Sequence, residues 1–202
     1  MDAPTLPMTE PTTEPEPASE HAAVESRPLA ELLPTGTLRT AVVAGGLALV
    51  VASFAKYGLS GEALLGAVFG PTLVLLAAID AKHRLLPNAI LLPATLAVGL
   101  ILAASMPGAF LSHLAAGAAL GGFFFLFGII FSGSIGMGDA KLGFLLGLAL
   151  GAQTFGAAII GFAGLLVAAL YVLATRGASA RKDAIPFGPF LALGGILAFF
   201  LG

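Results

Sequence analysis

Residues 132 to 147 read Ser-Gly-Ser-Ile-Gly-Met-Gly-Asp-Ala-Lys-Leu-Gly-Phe-Leu-Leu-Gly, a glycine-rich turn that runs into an apolar helix, with Asp139 where the two meet. A charged side chain well inside a bilayer costs roughly 2.5 to 3.5 kcal/mol, so an acid in such a helix is a functional-site hypothesis by default. Gly143, Gly147 and Gly151 follow Asp139 at steps of four residues and share its helical face. Small residues at this spacing let a neighbouring helix approach closely, which predicts that Asp139 faces the packed interior and not lipid.

The composition indicates a multi-pass membrane protein. Of 202 residues, 58% are hydrophobic and 10% are charged, and the mean hydropathy is +1.02, which ordinary soluble domains do not reach. The net charge of -2 hides an asymmetry, because seven of the eleven acidic residues lie within the first 31. The chain has no cysteine, so disulfides, thiolate metal sites and cysteine nucleophiles are excluded.

The chain divides into a tail and a membrane domain. Residues 1 to 35 are rich in Pro, Glu, Thr and Ser, which predicts a disordered acidic tail. Residues 36 to 202 are expected to form one all-α transmembrane bundle of about six to seven spans. Its apolar segments cover residues 38–55, 62–80, 88–106, 109–131, 139–152, 155–175 and 185–201. The fifth is short, which predicts a half-buried or tilted helix beside a cavity.

Loop charges predict the orientation in the membrane. When the seven segments alternate, eight of the nine basic residues lie on one side and only Lys56 on the other, which marks the first side as cytoplasmic. Asp80 ends the second segment and Asp139 begins the fifth, so both emerge on the cytoplasmic side. Glu62 and His113 belong to the opposite face. The tail is placed in the cytoplasm by the same alternation.

Asp80 and Asp139 are the acids for which the sequence offers a joint function, since Asp183 lies in a basic loop and is expected to form a local ion pair. Two carboxyl groups in a poorly solvated cleft share a proton, which gives an acid and a base in one site. Such a pair can activate water against a peptide carbonyl. Asp139 begins a helix and Asp80 ends one, so helix dipoles favour the proton on Asp80. The simpler alternative is that these acids only cap helices or pair with neighbouring basic side chains.

Three stretches of the chain, in this order, carry a resemblance to a known family. They are Asp80 with the following Leu86-Pro87-Asn88, the run Gly136-Met137-Gly138-Asp139-Ala140-Lys141-Leu142, and Ile185-Pro186-Phe187-Gly188-Pro189-Phe190. Together they resemble the type IV prepilin peptidases, membrane aspartic peptidases with a Gly-x-Gly-Asp motif. The resemblance implies that Asp80 and Asp139 are catalytic. It also implies that further residues of these stretches support the site or contact substrate: Gly136, Gly138, Lys141, Lys82, Arg84, Pro87, Asn88, Pro186, Gly188 and Pro189.

The function implied by the resemblance is that of an aspartic endopeptidase of the bacterial plasma membrane. It would cleave the leader peptide of pilin or pseudopilin precursors at the cytoplasmic boundary, after a glycine that precedes the apolar helix of the subunit. Larger members of the family carry an amino-terminal cysteine-containing domain associated with N-methylation, so this cysteine-free chain is expected to be a short form that cleaves without methylating. The expected partners are the precursor and the bilayer. No cofactor, metal ion or nucleic acid is expected, and the oligomeric state is open.

Two other functions fit part of the sequence. A small polytopic transporter or proton channel could also use intramembrane acids and broken helices. The sequence shows no internal repeat, however, and its two acids lie at one face and not at the midplane. An assembly factor that kept the fold without activity is the other alternative, and the presence of both Asp80 and Asp139 argues against it.

Overall fold

The computed structural model describes residues 28 to 131, 136 to 177 and 185 to 202. Within these ranges the chain is helical and contains no strand. The helices are α1 (Leu29–Leu32), α2 (Gly36–Tyr57), α3 (Gly61–His83), α4 (Asn88–Ser105), α5 (Pro107–Ile130), α6 (Met137–Leu150), α7 (Thr154–Arg176) and α8 (Gly188–Leu201). A 3-10 turn, Gly151–Gln153, separates α6 from α7. Each of the seven predicted apolar segments is a helix, which confirms the predicted all-α bundle.

Two of the sequence predictions lie wholly or mostly outside the described residues. Residues 1 to 27 of the predicted tail lie outside the described ranges, and so does the loop around Asp183. The last part of the predicted tail, however, belongs to the folded chain. Residues Leu29–Leu32 form α1, and the side chain of Leu32 is only 3% exposed. The packed chain therefore begins before residue 36, because Leu32 and Pro34 of this segment are buried.

Five helical stretches in the described part of the chain are long and apolar enough to cross a membrane. Four of them are α2 to α5, and the fifth is the continuous apolar run Met137–Arg176. Gly151 interrupts this run, because its φ of +56° ends α6. At 1.5 Å per residue, the 14-residue helices α6 and α8 are each about 21 Å long, which is less than the ~30 Å of a hydrocarbon core.

The short helix α6 lies in the middle of the bundle. Nine of its residues are buried, so it is more enclosed than the half-buried helix that its length predicted. It packs against α4, α5 and α8, and together with α3 these helices enclose the core. The largest fully buried side chains of this core include Phe69, Leu73, Leu76, Leu142, Leu145, Leu146 and Leu191.

The predicted glycine face of α6 packs directly on the backbone of α5. A Cβ atom at Gly143 would lie 2.6 Å from a ring carbon of Phe124, and one at Gly147 would overlap the carbonyl of Ala116. On α5, a Cβ at Gly117 would lie 2.9 Å from the carbonyl oxygen of Phe144. Small residues thus bring the two helices into van der Waals contact along their backbones. The predicted close approach is confirmed, and it fixes the position of α6, whose first turn carries Asp139.

Candidate active site

Asp80 lies in the last turn of α3 and is 6% exposed, which makes it the one buried charged side chain among the described residues. Its Oδ2 accepts a hydrogen bond of 2.9 Å from the backbone N–H of Gly188, the first residue of α8. A Cβ at position 188 would lie 2.7 Å from this oxygen. The close approach of α8 to the carboxyl therefore requires glycine at this position.

Asp139 lies in the first turn of α6 and is half-buried. The N–H of Gly136 donates to its Oδ2 over 3.2 Å, and the N–H of Asp139 donates to the carbonyl oxygen of Gly136 over 3.0 Å. This reciprocal pair of bonds closes the start of the helix, where a negative charge is favourable. The predicted capping role is thus present, and it holds the carboxyl in a fixed direction.

The two carboxyl groups lie at the same end of the bundle. The charge of Asp80 acts electrostatically on the Asp139 carboxyl, and contacts between their motifs connect them. Leu86, in the loop after α3, packs so closely on Gly138 that a Cβ there would lie 3.0 Å from the Leu86 Cβ. This packing accounts for glycine at position 138, next to Asp139.

Of the neighbouring basic side chains that the ion-pair alternative invokes, Arg84 interacts electrostatically with the carboxyl of Asp80. Within the described residues, neither Asp80 nor Asp139 lies within ion-pair distance of a basic side chain. Lys141 instead donates a hydrogen bond of 2.7 Å to Oδ1 of Asn88. This bond joins the first turns of α6 and α4, and so connects two of the predicted supporting residues. Pro87 immediately precedes α4 and is buried.

Lys82 and Arg84 are exposed at the same end of the bundle. Arg84 is the one non-glycine residue in the described ranges with a positive φ, of 53°. Its N–H donates to the carbonyl oxygen of Asp80 over 2.8 Å and ends α3. A left-handed conformation costs a residue with a side chain roughly 1 to 2 kcal/mol. The turn that follows Asp80 is therefore held in a strained conformation, as is frequent at functional sites.

The third motif, residues 185 to 190, contacts Asp80 through the backbone N–H of Gly188. Helix α8 starts at Gly188 and continues through Pro189, whereas the sequence predicted a start at residue 185. Pro186 lies in the non-helical approach. The ring of Phe187 packs edge-on against Phe124 of α5, with centroids 5.5 Å apart. Residues 185 to 187 therefore lie outside the helix. In this conformation the ring of Phe187 packs on α5, and the N–H of Gly188 reaches the carboxyl of Asp80.

Sequence reasoning did not assign a role to Phe187 or to the backbone of Gly188. The ring of Phe187 also lies 5.3 Å from that of Phe162 of α7, so three helices meet around it. The Pro-Phe-Gly-Pro run was the available signal, but it does not specify these partners.

Nε2 of His83, one turn beyond Asp80, is buried without a hydrogen-bond partner among the described residues. No three potential metal-ligating side chains converge in those ranges.

The helix-dipole argument for the shared proton changes with the structure. The sequence placed Asp80 only at the carboxyl end of one helix, where an anion is disfavoured. In the structure Asp80 also meets the amino terminus of α8 through Gly188, where an anion is favoured. Helix dipoles therefore act on Asp80 in both directions and do not by themselves distinguish it from Asp139.

The fold and this site define a polytopic membrane protein with a pair of aspartates at one end of an apolar helical bundle. The model of the type IV leader peptidase family matches residues 67–176, which include Asp80 and Asp139. The chain belongs to this family. The family and the apolar helices point to an inner-membrane protein.

Curated relatives carry the name prepilin leader peptidase/N-methyltransferase. The protein from Bacillus subtilis (strain 168) is 36% identical over 161 residues, which cover 76% of this chain and 62% of the relative. The proteins from Burkholderia pseudomallei (strains 1026b and K96243) are 37% identical over 166 residues, which cover 77% of this chain and 52% of each relative. The match therefore covers only part of these relatives' length. No solved structure matches the chain.

Proposed function

We propose that this protein is an aspartic endopeptidase that removes the leader peptide of type IV prepilin-like precursors. One observation carries the proposal: the buried carboxyl of Asp80 and the helix-capping carboxyl of Asp139 lie at one end of the bundle, where Leu86 of the first motif packs on Gly138 of the second. The names of the relatives supply the substrate class. The mechanism below is derived from the two side chains.

Each carboxyl is held by one backbone N–H at its Oδ2. In the described part of the chain no donor is bound to either Oδ1, which leaves these oxygens for water and substrate. One carboxylate accepts a proton from water while the water oxygen attacks the scissile carbonyl carbon. The other, protonated carboxyl donates its proton to the carbonyl oxygen. As the tetrahedral intermediate collapses, one of its hydroxyl groups returns a proton to the second carboxylate, the C–N bond breaks, and the proton taken from water passes from the first carboxyl to the leaving amine.

We also propose that cleavage occurs at the cytoplasmic face. Lys82, Arg84 and Lys141 lie at the end that carries the two aspartates, whereas Lys56 lies at the other end. Basic residues mark the cytoplasmic side. A precursor whose leader lies in the cytoplasm and whose apolar helix lies in the membrane would present its cleavage site at this boundary.

The test is processing of a prepilin precursor by the purified protein in detergent or in vesicles. Asp80→Asn and Asp139→Asn keep the size of each side chain and are expected to lower kcat/KM by a factor of about 10² to 10⁴ or more, since each removes an acid–base group. Glu31→Gln is the matched control, because this acid is exposed on α1 and belongs to none of the three motifs. Full processing by either aspartate variant would exclude the proposal. Full processing together with an altered ion flux would favour the transporter.

Cleavage is proposed to occur without N-methylation, which the absence of cysteine supports. The relatives are named for both activities. Mass spectrometry of the processed subunit, after incubation with this protein and S-adenosylmethionine, is expected to show a free amino terminus. An added methyl group would contradict the proposal without affecting the cleavage assignment.

A further inference from the structure

A cavity of about 400 Å³ lies at the end of the bundle opposite the two aspartates. Its volume is within the range of small-molecule sites. Four titratable side chains line it, namely Lys56, Tyr57, Glu62 and His113. These four side chains come from three helices, α2, α3 and α5, and meet at a distance from Asp80 and Asp139. A well-formed pocket on which a few polar groups converge is the default hypothesis for a binding site.

The polar groups come from the ends of the helices. Lys56 and Tyr57 are the last residues of α2, Glu62 is near the start of α3, and Gln153 lies in the turn after α6. Helix ends of this kind lie at the level of the lipid headgroups. The cavity walls include Leu65, Met106, Leu150 and Phe199, which are apolar. The cavity is therefore polar at its rim and apolar along its walls, as a lipid headgroup with its glycerol would require.

Hydrogen bonds within the protein hold several of these side chains in place. Nζ of Lys56 donates to the carbonyl oxygen of Phe200 over 2.8 Å and lies 4.9 Å from the centre of the Tyr57 ring. The Lys56 ammonium has three N–H donors, so two remain for a ligand. Nδ1 of His113 lies 2.9 Å from the carbonyl oxygen of Leu148. A carbonyl only accepts, so Nδ1 carries a proton there and donates it to this oxygen.

Lys56 and Glu62 present opposite charges to the same space. Within the described residues they are not within ion-pair distance of each other, and Glu62 makes no hydrogen bond with its carboxylate. A ligand that satisfies both charges must carry an anionic group for the ammonium and a cationic donor for the carboxylate. A phosphate joined to a primary ammonium has this pattern, because the phosphate accepts from Lys56 and the ammonium donates to Glu62.

We infer that the cavity lined by Lys56, Glu62 and His113 binds a zwitterionic phosphate–ammonium headgroup, supplied by a phosphatidylethanolamine of the leaflet opposite the aspartates. The headgroup lies at the rim, and the first carbons of its chains lie along the apolar walls. The site is independent of the proposed peptidase activity.

The test uses the purified full chain in detergent, with short-chain phosphatidylethanolamine as the probe and short-chain phosphatidylglycerol, which lacks the ammonium, for comparison. Binding is followed by native mass spectrometry and by the shift in melting temperature. The wild type is expected to bind the ethanolamine lipid about tenfold more tightly. Glu62→Gln is expected to remove this preference, since it loses one charge-assisted hydrogen bond. Glu31→Gln, at an exposed residue of α1, is the matched control and is expected to keep it.

Three results would overturn the inference: no lipid adduct, equal binding of the two lipids by the wild type, or an unchanged preference in Glu62→Gln. Free phosphoethanolamine forms a separate arm. If it binds as tightly as the lipid, the source is a soluble zwitterion and the lipid assignment is wrong. Because each readout is binding and not processing, failure here leaves the peptidase proposal unaffected, and loss of activity in the aspartate variants leaves this site unaffected.

Discussion

Replacement of Gly188 by alanine tests whether the backbone of α8 sets the position of the Asp80 carboxyl. The new Cβ would lie 2.7 Å from Oδ2 and 3.0 Å from Cγ of Asp80, where ordinary contact begins at 3.4 Å. The carboxyl or the start of α8 must therefore move by about 0.7 Å to restore ordinary contact. This movement breaks the 2.9 Å hydrogen bond from Gly188 to Asp80. A hydrogen bond to a charged group contributes about 1.5 to 3 kcal/mol, which corresponds to a factor of about 10 to 150 in rate.

The assay is cleavage of a purified precursor at several substrate concentrations. We expect kcat/KM to fall by about 10²-fold, because misplacement of a catalytic group by a fraction of an ångström adds to the lost hydrogen bond. Gly122→Ala is the matched control, since a Cβ at that exposed helical position meets no atom within 4 Å. The melting temperature of each variant separates a local effect from unfolding. A Gly188→Ala enzyme within twofold of the wild type would refute the reasoning.

Three further substitutions test the supports of the site. Phe187→Leu removes the aromatic contacts that anchor the start of α8, worth about 0.5 to 1.5 kcal/mol each, and is expected to lower kcat/KM about tenfold; unchanged turnover would contradict this. Lys141→Met removes the 2.7 Å bond to Asn88 and is expected to cost about 1 to 3 kcal/mol of stability, measured as a lower melting temperature; no decrease would count against a structural role. Gly147→Ala pushes α5 away from α6 and is expected to destabilise the fold by about 1 to 3 kcal/mol. Its control is Gly156→Ala, whose Cβ meets no atom within 4 Å and which is expected to leave the melting temperature unchanged or slightly higher. Equal melting temperatures of the two variants would contradict the close packing.

The membrane helices could be predicted because their signals are local. Apolar runs give the segments, and the breaks fall at residues with a distinct backbone preference. Pro107 is the first residue of α5, and Gly177 ends α7 with a φ of +69°. The start of α8 could not be predicted in the same way. Its position depends on where Phe187 packs on a distant helix, and nothing in the neighbouring sequence specifies that contact.

The end of the bundle at which the two aspartates lie could also be predicted, because alternating spans and loop charges fix the end of each helix. These signals do not fix which helices are neighbours in the membrane plane. The contacts of Lys141 with Asn88 and of Gly188 with Asp80 were therefore beyond the sequence, although each residue belongs to a recognised motif. For the same reason, Glu62 and His113 were placed on one face without any indication that they line one cavity.

Helix α8 explains how a segment too short to cross the bilayer can hold the Asp80 carboxyl in position. The first N–H groups and last carbonyl groups of a helix have no partner within it. At the start of α8, the N–H of Gly188 finds Asp80. Near its end, the carbonyl oxygens of Phe199 and Phe200 accept from Oη of Tyr57 and Nζ of Lys56, over 2.6 and 2.8 Å. Side chains from α2 and α3 thus satisfy both ends of α8. Because unsatisfied backbone groups are costly in lipid, these bonds fix its position along the bundle axis and with it the distance from the Gly188 N–H to the Asp80 carboxyl.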